Sequence, residues 1–307
     1  MSDGGSQKAK KVLKLARLHF LVPGILLYTF GALMASAIGF TLTLDKFLFG
    51  YLIFFLAHLS VSFSNDYFDR EADAFSEPTP LSGGSGVLVS NPSLAPFAFR
   101  MAVGLLIGSG VAALAFTLYY GFSLGFLAFA LLGGLLGWFY TAPPLRFAYR
   151  GMGELTTMMA AGLVMPGMGY FVISGTIDGW FLLLSLPLMC YGLYFILTVE
   201  MPDMEVDALS GKRGFLVRFG RRRAAFASMV ACAIGTVLFL AIYTTGVLGD
   251  QVDFGVITLF SLVPLAVAII AFLTITDHKE MVVRQVKLNF ASMMSFLVLV
   301  DLALLIA

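Results

Sequence analysis

Acidic side chains gather in two short stretches of the chain, and each stretch directly follows a long apolar run. Residues 65–77 hold five carboxylates and one arginine, and residues 200–207 hold four carboxylates and no basic residue. Each stretch contains three carboxylates at positions i, i+3 and i+7, a spacing that places them on one stripe of a helix. These are Asp66, Asp69 and Asp73 in the first stretch and Glu200, Asp203 and Asp207 in the second.

Carboxylates this dense at the edge of an apolar region repel one another and lose hydration, so a counter-charge is needed. Oxygen donors with no His or Cys nearby suit Mg²⁺, which takes one or two carboxylates together with substrate phosphates. The alternative is a solvated acidic loop that caps a helix. That alternative explains a single acidic stretch better than two matching ones, so the pattern favours a magnesium-dependent site.

Basic residues close to these stretches can complete a diphosphate site. Lys212 and Arg213 follow Asp207 after a short gap, and Arg146 and Arg150 lie one helical turn apart. Two acidic stripes, a metal and these cations can together hold a diphosphate. The alternative is that the cations only orient the chain in a membrane.

The elements that must position these residues are membrane helices. Of the 307 residues, 59% are hydrophobic and 12% are charged, against about a quarter in soluble proteins. This composition excludes a soluble enzyme, a disordered chain and a nucleic-acid binder, and the net charge of +1 attracts no polyanion. The apolar residues form nine blocks long enough to cross a membrane as helices. The predicted spans are 18–40, 46–64, 97–119, 122–140, 153–174, 179–199, 224–246, 254–275 and 288–307. Pro202 predicts a break after the sixth.

The basic residues predict the orientation of these spans. With nine spans, all of the 19 Lys and Arg except Lys46 fall on the side that carries the N-terminus. The positive-inside rule makes that side cytoplasmic. We therefore expect a basic cytoplasmic N-terminus over residues 1–17 and one transmembrane domain over residues 18–307. Its cytoplasmic active-site loops are 65–96, 141–152, 200–223 and 276–287.

Three segments resemble the UbiA superfamily of intramembrane prenyltransferases. Asn65-Asp-Tyr-Phe-Asp-Arg-Glu-Ala-Asp73 is similar to its first aspartate motif. Asp203-Met-Glu-Val-Asp207, followed by Gly-Lys212, is similar to the second, and the stretch 140–154 is similar to the loop between spans four and five. The resemblance extends over essentially the whole chain.

The resemblance implies an all-α integral membrane protein with nine helices around a central cavity and the motifs over its cytoplasmic mouth. It implies two Mg²⁺ ions that hold an isoprenyl diphosphate donor, whose chain lies in the cavity. Loss of diphosphate gives an allylic cation, which an acceptor carbon or oxygen attacks. The implied metal ligands are Asp66, Asp69, Asp73, Asp203 and Asp207.

The remaining site residues follow from the same resemblance and from cation chemistry. Asn65, Lys212, Arg146, Arg150 and Arg17 are expected to bind substrate. Aromatic faces can stabilise a carbocation, and for this role we nominate two tyrosines. These are Tyr140, as a catalytic residue, and Tyr67.

The chain departs from the family pattern at three places. Thr79 stands where many members have Arg, and Glu200 stands where quinone-pathway relatives often have Asn. The run 82–86 is rich in glycine and serine, which suits either a phosphate cradle or a mobile lid.

The acceptor stays open, chiefly between two members of the family, and the residues do not exclude hydroxybenzoate, homogentisate and haem or chlorin acceptors. The stretches Ser82–Leu88 and Tyr149–Glu154 are most similar to the branch that prenylates dihydroxynaphthoate in menaquinone synthesis. There, Arg150 or Arg146 would meet the acceptor carboxylate. The alternative is an archaeal ether-lipid enzyme that transfers geranylgeranyl to geranylgeranylglyceryl phosphate. Hypotheses from other classes are a polytopic transporter, whose ion sites would lie near the membrane centre, and a non-catalytic scaffold.

Overall fold

The structure is a computed structural model that describes residues 3–75 and 83–306, with side chains from residue 7 onward. Thr79 and Ser82, both noted in the sequence, lie outside the described residues. Within the described ranges the regular structure is helical. Its α-helices are α1 Asp3–Ala16, α2 Leu21–Ala37, α3 Leu44–Phe68, α4 Val87–Ser90, α5 Ala95–Tyr120, α6 Leu124–Trp138, α7 Gly153–Met159, α8 Met165–Ser174, α9 Gly179–Val199, α10 Met204–Leu209, α11 Phe215–Thr245, α12 Phe254–Leu273 and α13 Lys279–Ile306.

The predicted all-helical membrane bundle is confirmed, with one difference in span length. In the described part of the chain, eight helical segments are long and apolar enough to cross a membrane. The fourth predicted span is the 15-residue helix α6, which is about 22 Å long and shorter than a hydrocarbon core of about 30 Å. The fifth span consists of α7 and α8, joined by a π-helical turn at Ala160–Val164.

The helices pack side by side, and the last helix, α13, packs on the first span, α2. Helix α9 packs on α11, α11 on α12, α12 on α13, and α13 on α2. On the other side, α3 packs on α5 and α2 packs on α8. This arrangement surrounds an internal cavity whose walls come mainly from α3, α6, α7, α8 and α9.

Helices α2 and α8 pack backbone against backbone at Gly31 and Gly169, a contact that we call the glycine seam. A Cβ atom on Gly31 would lie 1.8 Å from the carbonyl oxygen of Pro166, and one on Gly169 would lie 1.9 Å from that of Tyr28. Any larger residue at either glycine would have to push a backbone aside. Small residues at such crossings let membrane helices approach closely.

The acidic end of the bundle, where α3 and α9 finish, departs from one prediction. Helix α3 ends at Phe68, Asp69 is its C-cap and Asp73 begins a separate 3₁₀ turn. The continuous helical stripe expected from Asp66 to Asp73 is therefore wrong beyond the first residue, because the chain turns to bring the later aspartates over the cavity. After α9 the predicted break is confirmed: Met201–Asp203 is a 3₁₀ turn around Pro202, and α10 follows.

Candidate active site

Both acidic stretches lie at the mouth of one cavity. The cavity has a volume of about 370 Å³, within the usual size of small-molecule sites. Its deep part is lined mainly by apolar residues, with His58 and Ser109 as polar exceptions, and most of the polar and charged lining lies toward the acidic end. The polar lining at that end comprises Arg17, Asn65, Asp66, Asp69, Asp73, Tyr140, Glu200, Asp203, Asp207 and Lys212. The structure thus brings together residues that lie far apart in the sequence.

Lys212 connects the two acidic stretches. Its ammonium lies 2.9 Å from Asp207 Oδ1 and 3.6 Å from Asp69 Oδ2. Burial opposes charge on Lys212, but Asp69 and Asp207 outweigh this effect and raise its pKa well above the usual value. The lysine therefore stays charged and acts as an internal counter-ion between the motifs.

A tyrosine that the sequence did not single out holds the other oxygen of Asp69. Tyr149 donates a hydrogen bond to Asp69 Oδ1 at 2.8 Å, and its ring carries the Arg146 guanidinium 3.8 Å from the ring centroid. Arg146 has a left-handed backbone, with φ of 45°. This turn folds the loop between α6 and α7 so that Tyr149 faces the first aspartate motif.

The glycine-rich segment after the first motif ties the two motifs together through its backbone. The amide of Gly83 donates to Asp203 Oδ2 at 2.9 Å, and the amide of Ser85 donates to Asp66 Oδ1 at 3.1 Å. A Cβ atom on Gly84 would lie 1.8 Å from Asp73 Oδ2, so only glycine lets the backbone approach this carboxylate. These amides contact aspartates of both motifs, and the two interpretations of the run, a phosphate cradle and a mobile lid, stay predictions.

The acidic end also buries a second layer of polar contacts. Asn65 accepts a hydrogen bond from Thr141 at 2.8 Å, and Tyr140 donates one to Glu200 at 3.3 Å. Glu154 accepts the backbone amide of Phe215. Burial, and then the charge of Glu200, raises the pKa of Tyr140 well above its usual value, so this hydroxyl keeps its proton.

Arg17 enters the site from the first span. Its guanidinium lies 3.9 Å from Asp66 Oδ1 and 4.3 Å from the centroid of the Phe20 ring. Arg17 has a left-handed backbone, with φ of 45°, between α1 and the turn that starts α2. This conformation points the cation at the first aspartate motif.

Three of the nominated residues do not contribute to the cavity wall. The Arg150 guanidinium donates to the carbonyl of Pro144 at 2.7 Å, and Arg146 is stacked on Tyr149. The Tyr67 ring lies against Phe99, with ring centroids 4.9 Å apart. The structure therefore places these side chains around the mouth rather than in the cavity.

The carboxylates suit an oxygen-preferring metal, although they do not form a ready cage. Among the described residues, no three Asp, Glu, His or Cys side chains converge closely enough to hold an ion by themselves. Lys212, Tyr149 and the amides of Gly83 and Ser85 contact carboxylate oxygens of the motifs. Mg²⁺ needs only one or two carboxylates when a diphosphate supplies further oxygens, so the donor set fits such an ion. Burial, and then Asp69 and Asp66, raises the pKa of Asp73 to about 7.

Arg221 holds the second aspartate motif in place from behind. Its guanidinium binds both oxygens of Glu205, at 2.7 and 2.5 Å, and donates to the carbonyl of Met201 at 3.0 Å. Asp277, between α12 and α13, lies 3.6 Å away. Gly220, with φ of 78° and ψ of 166°, bends α11 just before Arg221. In the sequence this arginine is one of three consecutive basic residues, 221–223, and only its position after a glycine distinguishes it.

Comparison with known proteins agrees with this architecture. The model of the UbiA prenyltransferase family matches residues 25–294. A chloroplastic chlorophyll synthase from Arabidopsis thaliana is 27% identical over 162 residues, which cover 52% of this chain and 40% of that protein. A 1,4-dihydroxy-2-naphthoate octaprenyltransferase from Bacillus subtilis is 25% identical over 116 residues, which cover 38% of this chain and 37% of that protein. The chain thus matches about two fifths of the length of these curated relatives.

A solved structure has the same fold over nearly the whole chain. It is a UbiA homolog from Archaeoglobus fulgidus bound to GPP and Mg²⁺. It is 18% identical, with a TM-score of 0.64, and the match covers 91% of this chain and 99% of that one.

Proposed function

Because the chain belongs to the UbiA prenyltransferase family, we propose that it transfers a polyprenyl group from an isoprenyl diphosphate to an aromatic acceptor. One observation carries this proposal. Two aspartate motifs and a shared lysine converge at the polar mouth of a mainly apolar cavity. A diphosphate headgroup with a hydrocarbon chain matches that division into a charged and an apolar part.

Mg²⁺, as two ions in the family pattern, would be held by the aspartates of the two motifs. These are Asp66, Asp69 and Asp73 on one side and Asp203 and Asp207 on the other. The metal supplies neutralisation of the charge that develops on the leaving diphosphate. The A. fulgidus homolog bound to GPP and Mg²⁺ has the same fold, which supports both the metal and the donor class.

The chain's own residues then perform the remaining work. Lys212 and Arg17 are the cations at the mouth, and they stabilise the diphosphate as the bond from its oxygen to the first prenyl carbon breaks. Asn65 contacts the headgroup where the wall changes from polar to apolar. The apolar wall excludes water, which would otherwise capture the cation. The Tyr140 ring stands at the same boundary and faces the developing positive charge.

The acceptor class proposed here is a dihydroxynaphthoate-like aromatic, as in quinone synthesis. The Bacillus relative, named for that acceptor, supports this choice. A new bond forms between the prenyl carbon and the acceptor, which gives up a proton, or carbon dioxide where its carboxylate is lost. Arg146 and Arg150 lie beside the mouth, where they can meet an acceptor carboxylate on its way in. The alternative acceptor, geranylgeranylglyceryl phosphate, uses the same donor site.

The basic face is proposed to be cytoplasmic, with residues 1–17 on that side and residues 18–307 as one membrane domain. The charge distribution supports this orientation. The other hypothesis, a transporter, predicts ionic sites near the membrane centre. Both aspartate motifs instead lie at one end of the bundle.

The test uses purified protein in nanodiscs with Mg²⁺ and radiolabelled geranylgeranyl diphosphate. Separate tubes receive dihydroxynaphthoate, geranylgeranylglyceryl phosphate and a chlorin, the last because one relative is a chlorophyll synthase. We expect a labelled naphthoquinol and released diphosphate, and neither after chelation of Mg²⁺ by EDTA. A labelled diether phosphate would move the protein to lipid synthesis. The absence of Mg²⁺-dependent diphosphate release with every acceptor would refute the prenyltransferase proposal.

A further inference from the structure

The depth of the cavity sets a limit on the donor. We infer that the cavity is matched to a prenyl chain of about four isoprene units, a C20 donor. This inference rests on the proposed function, because it assumes that the cavity holds the donor's hydrocarbon chain. It adds the length of that chain and the residues that set it.

One wall of the cavity gives a depth along α3. The lining on this helix runs from Asn65, at the polar boundary, to Ile53, twelve residues away. At 1.5 Å per residue, twelve residues span about 18 Å. Below the polar boundary this wall is therefore about 18 Å deep, and its lining is apolar except for His58 and Ser62.

The opposite wall gives the same depth independently. On α7 and α8 the lining runs from Thr156 to Met168, again twelve residues. The same rise per residue gives about 18 Å, slightly less through the π-helical turn. Two helices that run in opposite directions thus agree on where the cavity ends.

The cavity floor, formed by Ile53, Phe129 and Met168, is fixed by its packing. Ser109 donates a hydrogen bond to the carbonyl of Ile53 at 2.8 Å and holds that part of α3. Phe129 has no room to retreat, because its Cζ atom lies 2.7 Å from where a Cβ on Gly167 would be.

Below the floor, aromatic rings fill the space up to the end of the bundle opposite the aspartates. Phe129 contacts Phe171, with ring centroids 5.8 Å apart, and Phe171 contacts Phe126 at 5.3 Å. Phe126 in turn stacks on Phe116 at 4.8 Å. A prenyl chain cannot pass through this packed cluster without displacing several buried rings.

The depth converts directly into isoprene units. Each unit adds four carbon–carbon bonds to the length of the chain, or about 4.6 Å at the reach per bond of a fully extended chain. A depth of about 18 Å therefore takes about four units. A shorter donor leaves apolar wall uncovered, and a longer one must fold back or leave between helices.

The experiment compares donors of two, three, four and eight isoprene units at a fixed acceptor concentration. We expect kcat/KM to be highest with the C20 donor and to fall at least about tenfold for each unit removed, because each unit buries several carbon groups. The C40 donor should also be poorer than C20. Equal kcat/KM for C20 and C40 would overturn the inference.

A matched pair of variants tests the wall. Ala130→Phe fills the lower cavity and should shift the preferred donor to three units. Leu131→Phe places the same ring on the outer, exposed face of α6 and should leave the preference unchanged. Met168→Ala, which lowers the floor, should improve the C40 donor relative to C20. A length profile that none of these substitutions moves would refute the role of the floor.

Binding separates this inference from the proposed function. Thiolodiphosphate analogues of the same four lengths do not react readily, and thermal stabilisation of the protein reports their affinity. Stabilisation that peaks at C20 supports the length inference even if the acceptor is wrong. Stabilisation that does not depend on chain length overturns the length inference. The absence of turnover with every donor tested refutes the proposed reaction.

Discussion

Substitution of Lys212 by Met removes the ammonium between the two motifs and keeps a side chain of similar length. At 2.9 Å from Asp207 and 3.6 Å from Asp69, its two ion pairs correspond to about 6 and about 5 kcal/mol at an effective dielectric constant near 20. The loss of hydration on burial offsets most of this attraction. A net attraction of about 1.4 kcal/mol between the carboxylates and the ammonium would weaken the binding of a metal ion to these carboxylates about tenfold.

Two quantities should therefore change in opposite directions in Lys212→Met. Without diphosphate, the carboxylates lose their internal competitor, so they should bind a divalent ion about tenfold more tightly. Turnover should fall by about 10² to 10³, the usual loss when a group that stabilises charge in the transition state is removed. The first quantity is measured by Mn²⁺ titration followed by electron paramagnetic resonance, and the second by release of labelled diphosphate.

The titration is best performed above pH 7, because Asp73, with a pKa of about 7, otherwise keeps its proton. Arg213→Met is the matched control, because Arg213, a candidate from the sequence, is exposed and does not line the cavity. It should change neither quantity. Weaker metal binding in Lys212→Met would show that the lysine supports the metal site instead of competing with it. Unchanged turnover would refute its role toward the leaving group.

Three further predictions test the site and the fold. Asp69→Asn should lower turnover by at least about 10² while the melting temperature of the protein in detergent changes little, and near-normal turnover would contradict a metal role. Arg221→Met should lower kcat about tenfold with little change in donor KM, because it frees the second motif. Arg221→Lys should recover part of the lost kcat. Arg222→Met, which removes an exposed charge, should leave kcat unchanged. Gly169→Ala should destabilise the protein by about 1–3 kcal/mol in thermal unfolding. Gly104→Ala, whose Cβ meets nothing within 4 Å, should be neutral or stabilising, and equal effects of the two would refute the seam.

The fold and the location of the site were predictable from hydropathy and charge. Long apolar blocks determine the spans, and the aspartate spacing identifies the end of the bundle that holds the site. The length of α6 was harder to predict, because the residues after Trp138 remain apolar although the helix ends there.

The partners of the carboxylates were not predictable. Tyr149 and Asp69 are separated by 80 positions, and Gly83 and Asp203 by 120. Such pairings depend on how three loops meet over the cavity, and local sequence patterns do not predict contacts between distant loops. The end of α3 at Phe68 has the same origin, since contacts in the folded loop outweigh the helical spacing of the aspartates.

The glycine seam between α2 and α8 has a consequence for how the molecule is made. Gly31 lies in the first predicted span and Gly169 in the fifth, so the two helices of this contact are synthesised at different times. Until α8 has been inserted, α2 lacks its partner and the cavity lacks one wall. The first four spans therefore enter the bilayer without this partner, and newly made chains acquire a closed site only after the fifth and sixth spans and the second aspartate motif have followed.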